Sequence, residues 1–319
     1  MQNESVAARH VVLLGTGGTI AGQAGRADDN VGYTAGQIGV AQLLAAVPAL
    51  SHFSLQAEQL VQLDSKDMTH AVWQQLALAV ERHLARPDVA GIVITHGTDT
   101  LEETAWFLQR TLAPTKPVVL TAAMRPATAL LADGPQNLLD AVAVATTPGV
   151  RGVLAVLAGR VHGALDVRKW HGYRVDAFSS GDAGPLALVE EGTLKPLRPW
   201  PVDEALPTRW QAPVAEWPRV EIVASHAGSD GTLVEALIAL GCRGLVVQGT
   251  GNGTVHQSLE LALRKAIAQG VAVLRTSRCL GGGVVGAPAD ALPSAAQLTP
   301  AKARVELLLR LLVGEGAGA

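Results

Sequence analysis

The chain has 319 residues, 48% hydrophobic and 17% charged, with 34 glycines and a formal net charge of −3. That length accommodates two domains and a large core, and the mild acidity argues against a nucleic-acid or membrane-surface partner. The densest apolar stretch, residues 71 to 84, is interrupted by Gln74, Gln75, Glu81 and Arg82, so no membrane-crossing helix is expected. Cys242 and Cys279 lie in separate segments and make no disulfide framework; they read as unreactive thiols of a reducing compartment.

Residues 10 to 15 are a short apolar strand that breaks into Gly15-Thr16-Gly17-Gly18-Thr19. Read as a dinucleotide fingerprint the segment fails, because Ile20 occupies the third glycine position, and no lysine stands where a P-loop needs one. The glycines instead suit close backbone approach and N–H donors for a developing oxyanion. Residues 21 to 34, small, polar and glycine-rich, read as a mobile loop carrying Tyr33, after which Thr34 and Gln37 cap a helix to about residue 47. Residues 55 to 68 form a strand ending in a polar turn with Ser65, Lys66 and Asp67, and Thr69 caps an amphipathic helix to about residue 86.

Residues 91 to 108 are the centre of the pattern. A β-branched buried strand, Ile92-Val93-Ile94, runs into Thr95-His96-Gly97-Thr98-Asp99, and a helix follows with Asp99 and Glu102 spaced as a capping box. Residues 118 to 126 are the next strand; Asp133 and Gln136 cap the helix after it, with Pro135 in its first turn. Residues 152 to 159 are another buried strand, and residues 159 to 170 a hairpin or extended arm carrying Lys169.

From 197 to 218 five prolines interrupt the periodicity, which reads as an interdomain linker. Strands at 219–225, 244–248 and 271–276 then alternate with helices at 230–240 and 255–269, and a glycine-rich loop from Gly281 leads to a final helix opened by Thr299-Pro300. The expected class is α/β. It comprises a larger N-terminal domain (1–196) and a smaller C-terminal domain (219–319), each a mostly parallel sheet flanked by helices.

Polar turns after parallel strands converge on one sheet edge, where open α/β folds place their chemistry. The turns here hold Thr16/Thr19, Ser65/Asp67, Thr98/Asp99, Ala123-Met124-Arg125 and Asn252. No G-x-S-x-G elbow and no H-x-x-x-H or Cys/His metal pattern is present, so no metal or cofactor is expected, and His96 reads as structural. A threonine hydroxyl needs a base, and Lys169 and Tyr33 are of the right type, though sequence spacing places neither beside a threonine. The residues thus point to a hydrolase or transferase using threonines.

The pieces TGGTIAG (16–22), DSKDM (64–68), ITHGTDTLEET (94–104), AAMRP (122–126), ADGPQN (132–137) and GTGNG (249–253) together resemble the two-domain, threonine-nucleophile L-asparaginases of bacteria over nearly the whole chain. The resemblance implies hydrolysis of L-asparagine through an acyl-enzyme, with weaker glutaminase activity. Thr19 then matches the nucleophile, Tyr33 its partner, and Thr98, Asp99 and Lys169 a second triad. Ser65 and Asp99 match the binders of the substrate's α-carboxylate and α-amino groups. Gly18, Gly97, Thr98 and the Ala123 carbonyl match the walls around the amide. It also implies a homotetramer, a dimer of intimate dimers, in which Asn252 and an acid from a neighbouring C-terminal domain complete each site. Residues 281 to 299 contain no glutamate, leaving Asp290 as the one acid there, and Lys66 stands where many relatives carry glutamine. The first ten residues lack an apolar signal core, which with the cysteine placement gives a cytoplasmic expectation. A mixed-specificity glutaminase-asparaginase, an amidotransferase subunit, a non-catalytic amino-acid-binding protein and a nucleotide-binding dehydrogenase are the alternatives; the charge opposes the RNA-binding surface that the amidotransferase needs, and the missing third glycine opposes the dehydrogenase.

Overall fold

In the computed structural model, residues 9–202, 204–286 and 291–314 are described. The chain forms two compact units, Met1–Glu204 and Ala205–Ala319. Residues 198 to 202 belong to the first of them: the Arg198 guanidinium donates to Asp166 at 3.1 Å and to the Gly184 carbonyl at 2.8 Å.

The first unit contains β1 (His10–Gly17), β2 (Gln23–Ala24), β3 (Tyr33–Thr34), α1 (Val40–Ala45), β4 (Leu55–Leu63), α2 (His70–Leu84), β5 (Val89–Thr95) and α3 (Leu101–Leu112). It continues with β6 (Pro117–Thr121), α4 (Gly134–Thr146), β7 (Gly152–Leu157), β8 (Arg160–Gly163), β9 (Arg168–Lys169), β10 (Phe178–Ser179), β11 (Ala187–Glu190) and β12 (Thr193–Pro196). Eight strands make one sheet in the order β12-β11-β8-β7-β6-β5-β1-β4. The run β7-β6-β5-β1-β4 is parallel throughout. The apolar runs of β1 and β5 pair in register, Leu13 with Val93 and Leu14 with Ile94, and these four side chains are fully buried, as expected of strands covered on both faces.

Strand order carries the functional consequence. From β1 the chain moves outward to β4 at the edge, then returns to β5 on the other side of β1. A reversal of that kind opens a crevice at the carboxyl ends of β1 and β5, the topological switch point where such sheets bind ligands. The second unit is simpler. It holds β13 (Val220–Ala224), α5 (Thr232–Ala239), β14 (Gly244–Gly249), α6 (Gln257–Ala268), β15 (Ala272–Ser277) and α7 (Pro300–Val313), with the three strands parallel in chain order.

Several local expectations are corrected. The segment read as a mobile loop, 21–34, is a hairpin: Ala24 of β2 pairs with Tyr33 of β3. Its flank is tied to the loop after β6 by Ala127 N–H to the Gly22 carbonyl at 3.0 Å and Ala24 N–H to Thr128 Oγ1 at 2.9 Å. Thr34 therefore sits in a strand, and α1 begins later, with Gln42 Oε1 accepting from Gly39 N–H. Asp99 and Glu102 form no capping box; Thr100 is the N-cap of α3 and makes no side-chain cap bond. Asp133 does precede α4, but its carboxylate accepts from Met124 and Arg125 N–H and makes no cap bond to its own helix's first turn. Residues 187–196 form the antiparallel β11–β12 pair, which their sequence, lacking a clean alternation, does not signal. By contrast Thr69 and Thr299 do cap, accepting from Val72 and Lys302 N–H.

The core under α1 and α4 contains Leu13, fully buried on β1. Leu13→Ala is expected to cost about 2–5 kcal/mol, whereas Leu78→Ala, at a side chain 46% exposed, should change stability by no more than ~0.5 kcal/mol. Denaturant midpoints of both variants check this.

Candidate active site

The polar turns after β4, β1, β5 and β6 lie side by side at the carboxyl edge of the parallel run. Glycine is what lets the first three approach one another. Gly18 has φ +81°, and a Cβ there would sit 2.5 Å from Gly97 Cα. A Cβ on Gly97 would in turn sit 2.4 Å from Ser65 Oγ. No other residue type fits either position without moving a backbone. Thr19 and Thr98 each follow one of these contact points, and both are nearly buried, at 7% and 6% exposure.

Each threonine has a different partner. Thr19 Oγ1 lies 2.7 Å from the Tyr33 hydroxyl, delivered by the β2–β3 hairpin. Lys169 Nζ, from β9, donates to Thr98 Oγ1 at 2.9 Å and to Asp99 Oδ1 at 2.6 Å. Tertiary structure thus places Tyr33 and Lys169, which spacing alone leaves unplaced, each on one hydroxyl. Ser65 is buried, with Oγ accepting from Asp99 N–H at 3.2 Å and its carbonyl accepting from Thr100 Oγ1 at 2.8 Å. Ala123 is fully buried in the turn after β6.

Gly18 spends its own polar groups inside the fold: its N–H donates to the Leu63 carbonyl at 2.8 Å, and its carbonyl accepts from Gly36 N–H at 3.1 Å. It contributes close approach, not a donor. Lys66 is exposed and pairs with Asp67 and Asp64 of its own turn, and the hydrogen bond to Asp67 is the chief cause that raises its pKa. Asn252 belongs to the second unit, where its amide exchanges two hydrogen bonds with the Val285 backbone, at 2.7 and 2.8 Å. Asp290 lies outside the described residues.

Glu102 is a residue that sequence reasoning assigned wrongly. Its Oε2 accepts from Lys169 N–H at 3.0 Å, so it anchors the strand that brings the ammonium to Thr98. In the sequence Glu102 stands out only by its capping-box spacing from Asp99. Among the described residues no group of three or more His, Cys, Asp or Glu side chains is arranged to hold a metal ion.

The model for the N-terminal domain of asparaginases matches residues 10–201, and that for the glutaminase/asparaginase C-terminal domain matches residues 219–317. The chain belongs to the asparaginase family. It is 38% identical to L-asparaginase 2 of Escherichia coli (strain K12), covering 96% of this chain and 90% of that protein. It is 36% identical to the glutaminase-asparaginase of Pseudomonas fluorescens biotype A, covering 95% and 86%. The solved structure of a probable cytoplasmic L-asparaginase from Campylobacter jejuni superposes with a TM-score of 0.86 at 36% identity, covering 95% of both chains.

His96 shows how this family member supports its threonine turn from below. Fully buried, it has Nδ1 2.7 Å from the Gly97 carbonyl and Nε2 3.0 Å from Thr104 Oγ1, which itself accepts from Trp73 Nε1–H at 2.9 Å. A carbonyl only accepts, so Nδ1 carries the proton and Nε2 accepts from the threonine: a neutral imidazole. Burial pushes its pKa down from 6.5 to about 4. The unfolded chain takes up this proton below pH 6.5 while the folded chain refuses it until about pH 4, so stability falls as the pH falls through that window and is unaffected above it. Wild type should therefore lose roughly 3 kcal/mol between pH 6.5 and 4 that a His96→Gln variant retains. Denaturant titrations at stepped pH measure the difference.

Proposed function

We propose that this protein hydrolyses L-asparagine to L-aspartate and ammonia through a threonine acyl-enzyme, with weaker activity on L-glutamine. The observation that carries the reading is the pairing of two buried threonine hydroxyls with two different partners, the Tyr33 phenol and the Lys169 Nζ, at one switch point, in a chain of the asparaginase family. Tyr33 takes the Thr19 proton as Oγ1 attacks the amide carbon, and passes it to the departing nitrogen, which leaves as ammonia. Water then adds to the ester carbon. Thr98 takes a proton from that water as it passes its own to Lys169 in the amine form, and Asp99 stabilises the resulting ammonium. Collapse releases aspartate and returns the proton to Thr19.

The Thr98 N–H makes no backbone hydrogen bond among the described residues, which suits it to the oxyanion of both tetrahedral states. Gly97 and the Ala123 carbonyl wall the amide, while Gly18 supports the turn by close approach. Ser65 receives the substrate α-carboxylate, and Asp99, half exposed beside Lys169, offers its second oxygen to the α-ammonium. The hairpin bearing Tyr33 closes over the bound substrate and excludes water during acylation. Each site is completed in a homotetramer, a dimer of intimate dimers, by Asn252 of a neighbouring subunit. The C-terminal domain, 219–319, supplies that residue. A cytoplasmic location is supported by similarity to the Campylobacter jejuni protein, described as probably cytoplasmic, while a relative from Haemophilus influenzae is named as periplasmic. No described helix is long and apolar enough to cross a membrane.

Ammonia release from asparagine and glutamine in parallel tests the reading. Thr19→Ala and Thr98→Ala should each lower kcat on asparagine by about 10³-fold or more, with the fold retained by circular dichroism. A wild-type protein that releases ammonia from neither amide would overturn it.

A further inference from the structure

The start of α4 performs work that its position as a helix cap does not explain. Asp133 Oδ2 accepts from Met124 N–H and Oδ1 from Arg125 N–H, both at 2.9 Å. One turn later, Asn137 Nδ2 donates to the Ala122 carbonyl at 2.9 Å and to Asp133 Oδ2 at 3.2 Å, and Asn137 Oδ1 accepts from Ala158 N–H at 2.9 Å. The peptide groups on both sides of Ala123 are therefore gripped from α4.

A trans peptide is planar, with its N–H and C=O pointing in opposite directions. The Met124 N–H and the Ala123 C=O belong to the same peptide. Pinning that N–H on Asp133 consequently turns the Ala123 carbonyl away from α4, and the carbonyl accepts no backbone hydrogen bond among the described residues. The same turn is braced at its far side, where the Arg125 guanidinium lies 4.2 Å from the Tyr173 ring centroid and donates to the Tyr173 carbonyl at 2.8 Å.

We propose that Asp133 is a positioning residue for amide recognition: by holding Met124 N–H it aims the Ala123 carbonyl at an N–H of the substrate's side-chain amide. This rests on the amide-hydrolysis reading above and assigns the choice of a primary amide over an ester to a carboxylate that touches neither substrate nor nucleophile. Burial raises the pKa of this carboxyl from the ordinary aspartate value, against the pull of the two N–H donors and the Arg125 cation. The site thus keeps a desolvated carboxylate where an ordinary helix cap would leave a solvated one.

The test compares two substrates that differ in the group the carbonyl reads. L-asparagine carries amide N–H donors; the β-methyl ester of L-aspartate carries none. Asp133→Ala removes both acceptors, and Asp133→Asn, the milder variant, keeps one. Both should lower kcat/KM for the amide by about tenfold or more relative to the ester, with Asp133→Asn the less affected. Equal losses on both substrates, or an unchanged amide-to-ester ratio in a folded Asp133→Asn variant, would overturn the role. Wild type that cleaves the ester but not the amide would overturn the amide-hydrolysis reading and the Asp133 role together, whereas an unchanged ratio leaves the hydrolysis reading standing.

Discussion

The contact on which the site depends is the meeting of two backbones, at Gly18 and Gly97, above the switch point between β1 and β5. A Cβ on Gly18 would sit 2.5 Å from Gly97 Cα, so side chains are excluded and the two turns touch main chain to main chain. That proximity follows from strand order, because the chain leaves β1 in one direction and returns beside it from the other. Register then does the rest. With Gly15 opposite Thr95, the two turns leave the sheet at the same level, and a threonine follows each of the touching glycines.

Around that contact, most polar groups are spent on holding backbone in place. Gly18 gives both its main-chain groups to neighbours, His96 supports the Gly97 carbonyl, Asp133 holds two N–H groups, and Glu102 holds Lys169. A buried polar group left without a partner costs on the order of 1–3 kcal/mol, so such commitments are the rule inside an α/β fold. The remaining side chains at the edge, two threonine hydroxyls, one phenol, one ammonium and one carboxylate, pair with one another instead of with the scaffold, and the scaffold holds that geometry stiff.

Three of the carboxylates show why local sequence rules lose to tertiary structure here. Asp99, Glu102 and Asp133 all stand at spacings that read as helix capping. Each instead finds a stronger or more demanding partner from another part of the chain: the Lys169 ammonium, the Lys169 N–H, and the Met124 and Arg125 N–H groups. A cap bond is worth about 1 kcal/mol and water can replace it at an exposed helix end, whereas a buried N–H has no such substitute. Where the cap lies at the surface, as at Thr69 and Thr299, the local rule holds.

The sequence by itself determined the α/β class, the succession of strands and helices, and the identity of the glycine-threonine turns. Those features are written in short-range periodicity and in residues whose backbone freedom is local. Tertiary structure alone sets which side chain meets which hydroxyl. Tyr33 reaches Thr19 because 21–34 folds into a hairpin tied to the loop after β6, and Lys169 reaches Thr98 because β9 is anchored by Glu102. The separations along the chain, 14 and 71 residues, carry no periodic signal. Such pairings exist only once the strands have ordered the sheet edge, which is why they had to be seen in space.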